Sequence, residues 1–166
     1  MKIYKNFLSE KEFNIVEGVM ANNGFPWYYG PVLPDKLISA KDYNFQLAHT
    51  FYEDDQIISS SYIHIIDCFK KKIKWLSLLR AKANLLLKSH KKIEHGMHID
   101  ISTKSKKYTT GIFYLNNNNG YTKFKNGTIV KSERNKYVEF NGHLQHTGTT
   151  CTDKETRVIL NLNYIK

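Results

Sequence analysis

The sequence contains no apolar run long enough to cross a membrane, and it contains only two cysteines. A spanning helix needs about 20 consecutive apolar residues, and no stretch of the 166 residues approaches that length. The first six residues, MKIYKN, lack the apolar stretch and the small residues of a secretory signal. Cys68 and Cys151 do not form the spaced pattern of a disulfide framework. We therefore expect a protein of the reducing cytoplasm without a membrane partner.

Internal repeats, low-complexity tracts and linkers rich in proline or glycine are absent as well. The composition, with 41% hydrophobic and 13% aromatic residues, is typical of a compact globular chain rather than a disordered one. A chain of this length can bury a core as one unit. The expectation is a single domain over residues 1–166.

Acidic residues are few relative to basic ones, at 15 against 25, and the net charge is +10. Such an excess is found in proteins that bind nucleic acid or another polyanion. The lysines, however, lie in scattered clusters such as residues 70–72, 91–92 and 104–107, and no aromatic-basic motif accompanies them. A solvated, lysine-rich surface is the favoured interpretation, and a nucleic-acid partner is the alternative.

Two helices are predicted in the first half of the chain. Ser9 and Glu12 form a capping-box pattern, and apolar residues then recur at helical spacing until residues 22–24. A second helix is predicted from an apolar stripe over residues 57–69, with the aspartates 54–55 at its favourable N-terminal end.

From Leu79 the hydrophobic period changes from helical to two. Arg80, Lys82 and Asn84 alternate with small or apolar residues, which predicts a strand with one polar face. Further short strands are expected at residues 96–101, 108–115, 121–124, 128–131, 137–140 and 157–165, with earlier candidates at 25–29 and 43–52. Two helices and such a run of strands indicate an α+β fold whose sheet closes on itself as a sandwich or barrel.

The pattern that carries chemistry lies in the strand predicted at residues 96–101. Alternation puts His98 and Asp100 on the same face, about 7 Å apart along the strand, and His146 can supply a second imidazole from elsewhere in the chain. Two histidines and one carboxylate occupy one face of an octahedral metal and leave the other open, which is typical of non-haem Fe(II) oxygenases. Because a His-x-Asp pair also arises by chance, the motif needs support from the rest of the sequence.

The order of the following segments supplies that support. The pair is followed by YTTGIFYLN at 108–116, GYTKF at 120–124, YVEF at 137–140, the His146 segment and finally Arg157. In this order the sequence resembles, from about residue 80 to its end, the 2-oxoglutarate/Fe(II)-dependent dioxygenase superfamily, and within it the prolyl-4-hydroxylase-like branch. The segments at 25–28 and 43–52 resemble small viral or microbial members of that branch. The resemblance implies a double-stranded β-helix (jelly-roll, cupin-like) core over residues 79–166. It also implies helical and strand support over residues 1–78, with the helices packed on one sheet.

The resemblance also assigns roles to residues that match the family's motif. His98, Asp100 and His146 would hold Fe(II), and Arg157 would pair with the distal carboxylate of 2-oxoglutarate, a task that suits a guanidinium. Further candidates for contact with this co-substrate are Tyr114, Tyr108 and Thr110, which share one strand face, and Asn84, which precedes the metal pair. Arg80 and Lys82 lie on the same strand as Asn84 but are more simply explained as an exposed polar face.

The implied activity is hydroxylation of a C–H bond by Fe(II), 2-oxoglutarate and O2, with release of succinate and CO2. The branch implies a prolyl residue in a peptide or protein as the substrate, and small molecules remain open. One alternative is oxidative demethylation of nucleic acid, but the alkylation-repair branch has a second arginine where this chain has Asn163. The other alternative is a non-catalytic jelly-roll binding domain. Arg157 argues against it, because a binding module needs no carboxylate anchor beside its metal.

Overall fold

In a computed structural model, described for residues 1–33, 44–102 and 107–166, a helical layer, a large sheet and a small sheet are stacked on one another. The helices are α1 (Glu10–Met20) and α2 (Tyr62–Lys70). The strands are β1 (Lys2–Tyr4), β2 (Tyr28–Gly30), β3 (Gln46–Glu53), β4 (Gln56–Ile57), β5 (Ser77–Leu87), β6 (Thr109–Tyr114), β7 (Tyr121–Phe124), β8 (Ile129–Lys131), β9 (Lys136–Asn141), β10 (His146–Gly148) and β11 (Thr156–Ile165).

Both sheets are antiparallel throughout their described strands. The large sheet has the order β1-β9-β6-β11-β5-β3-β2, with β4 paired to β3, and the small sheet has the order β10-β7-β8. Two isolated bridges, from Glu94 to Thr149 and from His98 to His146, attach residues 94–98 to the free edge of β10. The segment before β6 therefore extends the small sheet and brings two predicted metal ligands onto neighbouring strands.

Two apolar clusters fix the order of the layers. One lies between the helices and the large sheet, where Phe13 and Phe69 pack with Ala83 and Leu160. The other lies between the two sheets and contains Ile112, Tyr114, Phe124, Val130, Val138, Phe140 and Ile159. This arrangement confirms the predicted α+β fold with a double-stranded β-helix core and helices packed on one sheet.

The first helix forms as predicted. The Ser9 side chain accepts a hydrogen bond from the Glu12 amide, and the Glu12 carboxylate accepts one from the Ser9 amide. The two bonds satisfy donors that would otherwise be orphaned at the helix start. Phe13, Val16 and Met20 form its buried stripe.

The second helix is shorter than predicted, and its proposed first turns are wrong. Asp54 and Asp55 adopt left-handed backbone conformations, with φ of 51° and 57°. They form the turn of a hairpin in which Tyr52 pairs with Ile57. Two consecutive residues with positive φ are the requirement of a tight hairpin turn and are incompatible with a right-handed helix. Helix α2 consequently begins only at Tyr62.

Most predicted strands form within one or two residues of their expected bounds, including β6, β7, β9 and β11. Two predictions depart further. Of the strand expected at residues 25–29 only the end forms, as β2, and in the strand expected at 96–101 only His98 makes a bridge. The candidate at 43–52 corresponds to β3, and its first residue, Tyr43, lies outside the described residues, as do lysines 104 and 106.

No helix in the described part of the chain is long and apolar enough to span a membrane. Cys68 and Cys151 are both buried free thiols, which agrees with the expectation that they do not build a disulfide framework.

Candidate metal centre and co-substrate cleft

The structure brings His98, Asp100 and His146 together, with one potential ligand atom from each lying within 4.8 Å of the other two. Two backbone hydrogen bonds of 3.0 Å between His98 and His146 fix the relative position of the two histidines. Asp100 follows two residues later, where the chain bends away from the sheet. The convergence predicted from the His-x-Asp alternation is therefore present, although a single bridge rather than a continuous strand produces it.

The orientation of both imidazoles is set by backbone carbonyl groups. The Nδ1 atom of His98 lies 2.9 Å from the Gly96 oxygen, and Nδ1 of His146 lies 3.2 Å from the Leu144 oxygen. Since a carbonyl oxygen can only accept, each Nδ1 must carry the proton and donate. In the neutral form of either ring, Nε2 is then left with a lone pair, which is the tautomer that a metal ligand requires.

Asp100 is held as a carboxylate by four groups around it. Asn161 and Asn163 each donate an amide hydrogen bond to one of its oxygens, at 3.1 and 3.2 Å. Nε2 of His146 and Nη2 of Arg80 both lie 3.7 Å from its Oδ1 atom. Burial acts to raise the pKa of Asp100, but the hydrogen bond and charge of His146 and the charge of Arg80 outweigh it and hold the pKa well below its usual range.

The pKa values of the two histidines shift in opposite directions, although burial acts to lower both. Burial lowers the pKa of His98, which favours the neutral ring. It acts in the same direction on His146, but there the neighbouring Asp100 carboxylate prevails and raises the pKa.

Arg157 lies in the same cleft as the three candidate ligands and is almost fully buried, at 1% exposure. Its Nε donates to the Ser132 hydroxyl at 2.9 Å, and its Nη2 donates to the Thr122 hydroxyl at 3.1 Å. Nη1 is buried and has no partner among the described residues. A buried cation with an unsatisfied donor is costly unless an anion binds there.

Two glycines leave room for the Arg157 side chain. A Cβ atom at Gly120 would approach the Arg157 Cδ atom to 2.7 Å, and one at Gly148 would lie 3.3 Å from the unpartnered Nη1. Gly148 also lines the cleft. The space beside Nη1 therefore depends on the absence of a side chain at this position.

Tyr114 is fully buried beside Arg157, whose guanidinium carbon lies 5.7 Å from the centre of its ring. Its hydroxyl donates to Thr122 Oγ1 at 2.8 Å, the same oxygen that accepts from Arg157. Tyr114 thus reaches the arginine through Thr122, a residue that lines the cleft and that sequence reasoning missed.

The structure does not bring Tyr108 and Thr110 together with Arg157. The Tyr108 hydroxyl donates to the Gly142 carbonyl at 2.7 Å, and its ring packs edge-on against His143. Thr110 accepts a 2.9 Å hydrogen bond from Asn163, which also binds Asp100. Thr110 is therefore connected through Asn163 to Asp100, a candidate metal ligand, rather than to Arg157.

The polar face predicted for β5 lines the cleft. Asn84 is a lining residue, and so are Arg80 and Lys82, which the sequence had suggested to be simply exposed. The Arg80 side chain is only 13% exposed. Burial, and next the charge of Arg80, lowers the pKa of Lys82.

His95 and Asn161 are two further lining residues that sequence reasoning did not single out. Burial lowers the pKa of His95 to about 4, with a smaller contribution from Arg157, so its ring is neutral at physiological pH. Asn161 could have been found from the alternation of β11, because it shares a face with Arg157. No local signal marks His95, which reaches the cleft only through the bridge from Glu94 to Thr149.

The donor set fits Fe(II) and 2-oxoglutarate. Two imidazole nitrogens and one carboxylate converge from one side, as in facial-triad sites, and Arg157 lines the same cleft. Nη1 of Arg157, which has no partner among the described residues, would give a dicarboxylate a second point of attachment.

No family model and no curated protein matches the sequence, but solved structures match the fold. A 2OG-Fe(II) oxygenase family oxidoreductase from Burkholderia pseudomallei has a TM-score of 0.63 at 12% identity, over 94% of this chain and 79% of that one. A Trichoplax adhaerens prolyl hydroxylase, in complex with a hypoxia inducible factor oxygen degradation domain peptide fragment, has a TM-score of 0.63 at 14% identity, over 99% and 82%. A Pseudomonas putida prolyl-4-hydroxylase has a TM-score of 0.60 at 12% identity, over 99% and 92%. The chain therefore has the fold of the 2OG-Fe(II) oxygenases and prolyl hydroxylases, as the sequence resemblance predicted.

Proposed function

We propose that this protein is an Fe(II)- and 2-oxoglutarate-dependent dioxygenase that hydroxylates a C–H bond. One observation carries the proposal: a cluster of two histidines and an aspartate shares a cleft with Arg157, a buried cation whose Nη1 has no partner in the described chain. A structural metal site has no use for a second, unsatisfied cation, whereas a dicarboxylate co-substrate needs one.

Each part of the cleft has a distinct task in this proposal. His98, Asp100 and His146 would hold Fe(II), which with 2-oxoglutarate and O2 supplies the oxidising power for C–H hydroxylation. Arg157 would bind the distal carboxylate of 2-oxoglutarate, oriented for that task by its bonds to Ser132 and Thr122. The apolar residues Leu86, Ile112 and Ile159 line the cleft and would help to exclude water once the co-substrate is bound.

For the substrate, we propose a prolyl residue in a peptide or protein. The support is the sequence resemblance to the prolyl-4-hydroxylase-like branch and the shared fold of a prolyl hydroxylase that is itself seen with a peptide. At 14% identity, the similarity to that protein shows a shared fold only. A substrate screen therefore tests the proposed prolyl substrate.

The test is succinate release from 2-oxoglutarate in the presence of Fe(II), screened over proline-containing peptides, free amino acids and oligonucleotides. His146→Ala should abolish turnover, because it removes a ligand that no neighbouring side chain replaces. His143→Ala is the matched control, since this exposed histidine packs on Tyr108 outside the ligand cluster, and it should keep wild-type turnover. Full activity in a folded His146→Ala variant would exclude the proposed site.

A further inference from the structure

A pair of cations, Arg80 and Lys82, lies at the opposite end of the cleft from Arg157. In the register between β5 and β11, Arg157 faces Leu86, while Lys82 faces Asn161 and Arg80 faces Asn163. Six residues of strand separate Arg157 from Asn163, about 20 Å at the usual rise. The candidate ligand Asp100 lies at the end of Arg80 and Lys82, because Asn161 and Asn163 both bind it and Arg80 is 3.7 Å from it. The Arg80 and Lys82 end is thus the side of the metal centre away from the proposed co-substrate anchor.

The charges of this pair are only weakly compensated. Arg80 is 3.7 Å from Asp100 and 3.8 Å from Glu53, both longer than a hydrogen bond, and its buried Nε has no partner among the described residues. Glu53 is itself 43% exposed and therefore well screened. Asp100 already accepts two amide hydrogen bonds and is committed to the proposed metal.

Lys82 is the less compensated of the two. Among residues 1–33, 44–102 and 107–166 it has neither an ion pair nor a side-chain hydrogen bond. The residue paired with it on β3 is the uncharged Thr50. Burial, and next the charge of Arg80, lowers the pKa of Lys82, although the charges of Glu53 and Asp100 act in the opposite direction. The cleft therefore disfavours the charged form of Lys82. An anion bound between Lys82 and Arg80 would favour the charged form of Lys82 and raise its pKa.

We propose that Lys82 and Arg80 form a subsite for the substrate, and that this substrate carries a carboxylate close to the oxidised C–H bond. The inference rests on the proposed function and extends it to the chemical class of the substrate. The short distance from Arg80 to the metal ligand Asp100 favours a carboxylate a few bonds from the reacting carbon. Within the proposed prolyl chemistry, that carboxylate is either an acidic side chain beside the proline or the α-carboxylate of a free amino acid.

The binding test avoids turnover, so that it remains valid if the proposed activity fails. Protein loaded with Zn(II) and saturated with 2-oxoglutarate is titrated with acetate and with acetamide, and binding is followed by ligand-observed NMR. We expect acetate to bind at least about tenfold more tightly than acetamide, the lower end of the range for one charge-assisted hydrogen bond. Lys82→Met should abolish the difference, Lys82→Arg should restore it, and Lys74→Met, which removes an exposed lysine outside this cleft, should leave it unchanged.

A turnover test then identifies the source of the carboxylate. Succinate release is compared between L-proline and L-prolinamide, and between the capped peptides acetyl-Glu-Pro-Ala-amide and acetyl-Gln-Pro-Ala-amide. A preference for the acidic member of either pair that disappears in Lys82→Met supports the subsite. Three results would each overturn the proposed subsite. The first is equal binding of acetate and acetamide, and the second is a Lys82-dependent response to an oligonucleotide but to no carboxylate. The third is an effect of Lys82→Met that is confined to 2-oxoglutarate binding. Absence of all turnover together with retained acetate selectivity would overturn the proposed function and leave the subsite standing.

Discussion

Replacing Arg157 with alanine should weaken 2-oxoglutarate binding without removing the metal site. The guanidinium uses Nε and Nη2 to bind Ser132 and Thr122, and Nη1 remains for a ligand. A hydrogen bond to a charged group contributes about 1.5–3 kcal/mol. Loss of that bond should therefore raise the dissociation constant of 2-oxoglutarate by a factor of about 10 to 150.

The effect can be measured by thermal unfolding of Zn(II)-loaded protein with and without 2-oxoglutarate. A ligand present at 100 times its dissociation constant stabilises the folded state by about 2.7 kcal/mol. At that concentration, a 10- to 150-fold weaker affinity should remove between about half and about nine-tenths of the stabilisation in Arg157→Ala. Arg134→Ala is the matched control, because this arginine lies outside the cleft and pairs with Glu10. A folded Arg157→Ala protein that binds 2-oxoglutarate as tightly as the wild type would refute the reasoning.

Three further predictions concern the surroundings of the site and the stability of the sheet. Gly148→Ala should weaken 2-oxoglutarate binding, though less than Arg157→Ala does, because its Cβ would lie 3.3 Å from Nη1; isothermal titration measures the change. Asn163→Ala removes a hydrogen bond to Asp100 and should lower Fe(II) affinity by about 10- to 100-fold, as measured by competition with a chelator. Burial acts to raise the pKa of Glu139, but hydrogen bonds from a lysine and a tyrosine prevail and lower it from 4.5. Its contribution to stability should therefore be complete above pH 4.5 and be lost as the pH falls through the lower folded-state pKa, a dependence that Glu139→Gln should flatten in urea unfolding.

Each of these predictions has an outcome that contradicts it. Gly148→Ala should be compared with Gly30→Ala, since a Cβ at Gly30 meets no atom within 4 Å, and equal affinities for 2-oxoglutarate would argue against a role for the space beside Nη1. Unchanged Fe(II) affinity in Asn163→Ala would mean that the amide does not position Asp100. An unchanged pH profile in Glu139→Gln would show that the lowered pKa does not contribute to folding.

The features that could be predicted from the sequence are those encoded by local spacing. Alternation on β11 and β5 placed Arg157, Asn84 and the buried apolar residues on their observed faces. The capping box of α1 specifies its start through two hydrogen bonds between residues three apart. His98 and Asp100 are only two residues apart, and a bend in the chain is enough to bring both side chains to the same site. Their convergence therefore does not depend on the predicted strand.

The features that could not be predicted depend on contacts between distant segments. The stripe at 57–69 has helical spacing, but the pairing of Tyr52 with Ile57 and two positive φ angles make its first part a hairpin. Thr122 reaches Arg157 only because the two sheets face each other. Arg80 and Lys82 looked like a solvated strand face, since no local pattern reveals that the segment of Asp100 covers them.

The most direct test of the account is the visible absorption spectrum of the protein under anaerobic conditions with Fe(II) and 2-oxoglutarate. We expect a weak charge-transfer band that requires both additions, because Fe(II) held by His98, Asp100 and His146 would have open positions for the co-substrate. Asp100→Ala should lack the band, and His143→Ala should retain it. A folded, Fe(II)-loaded wild-type protein that shows no band with saturating 2-oxoglutarate would contradict the central claim.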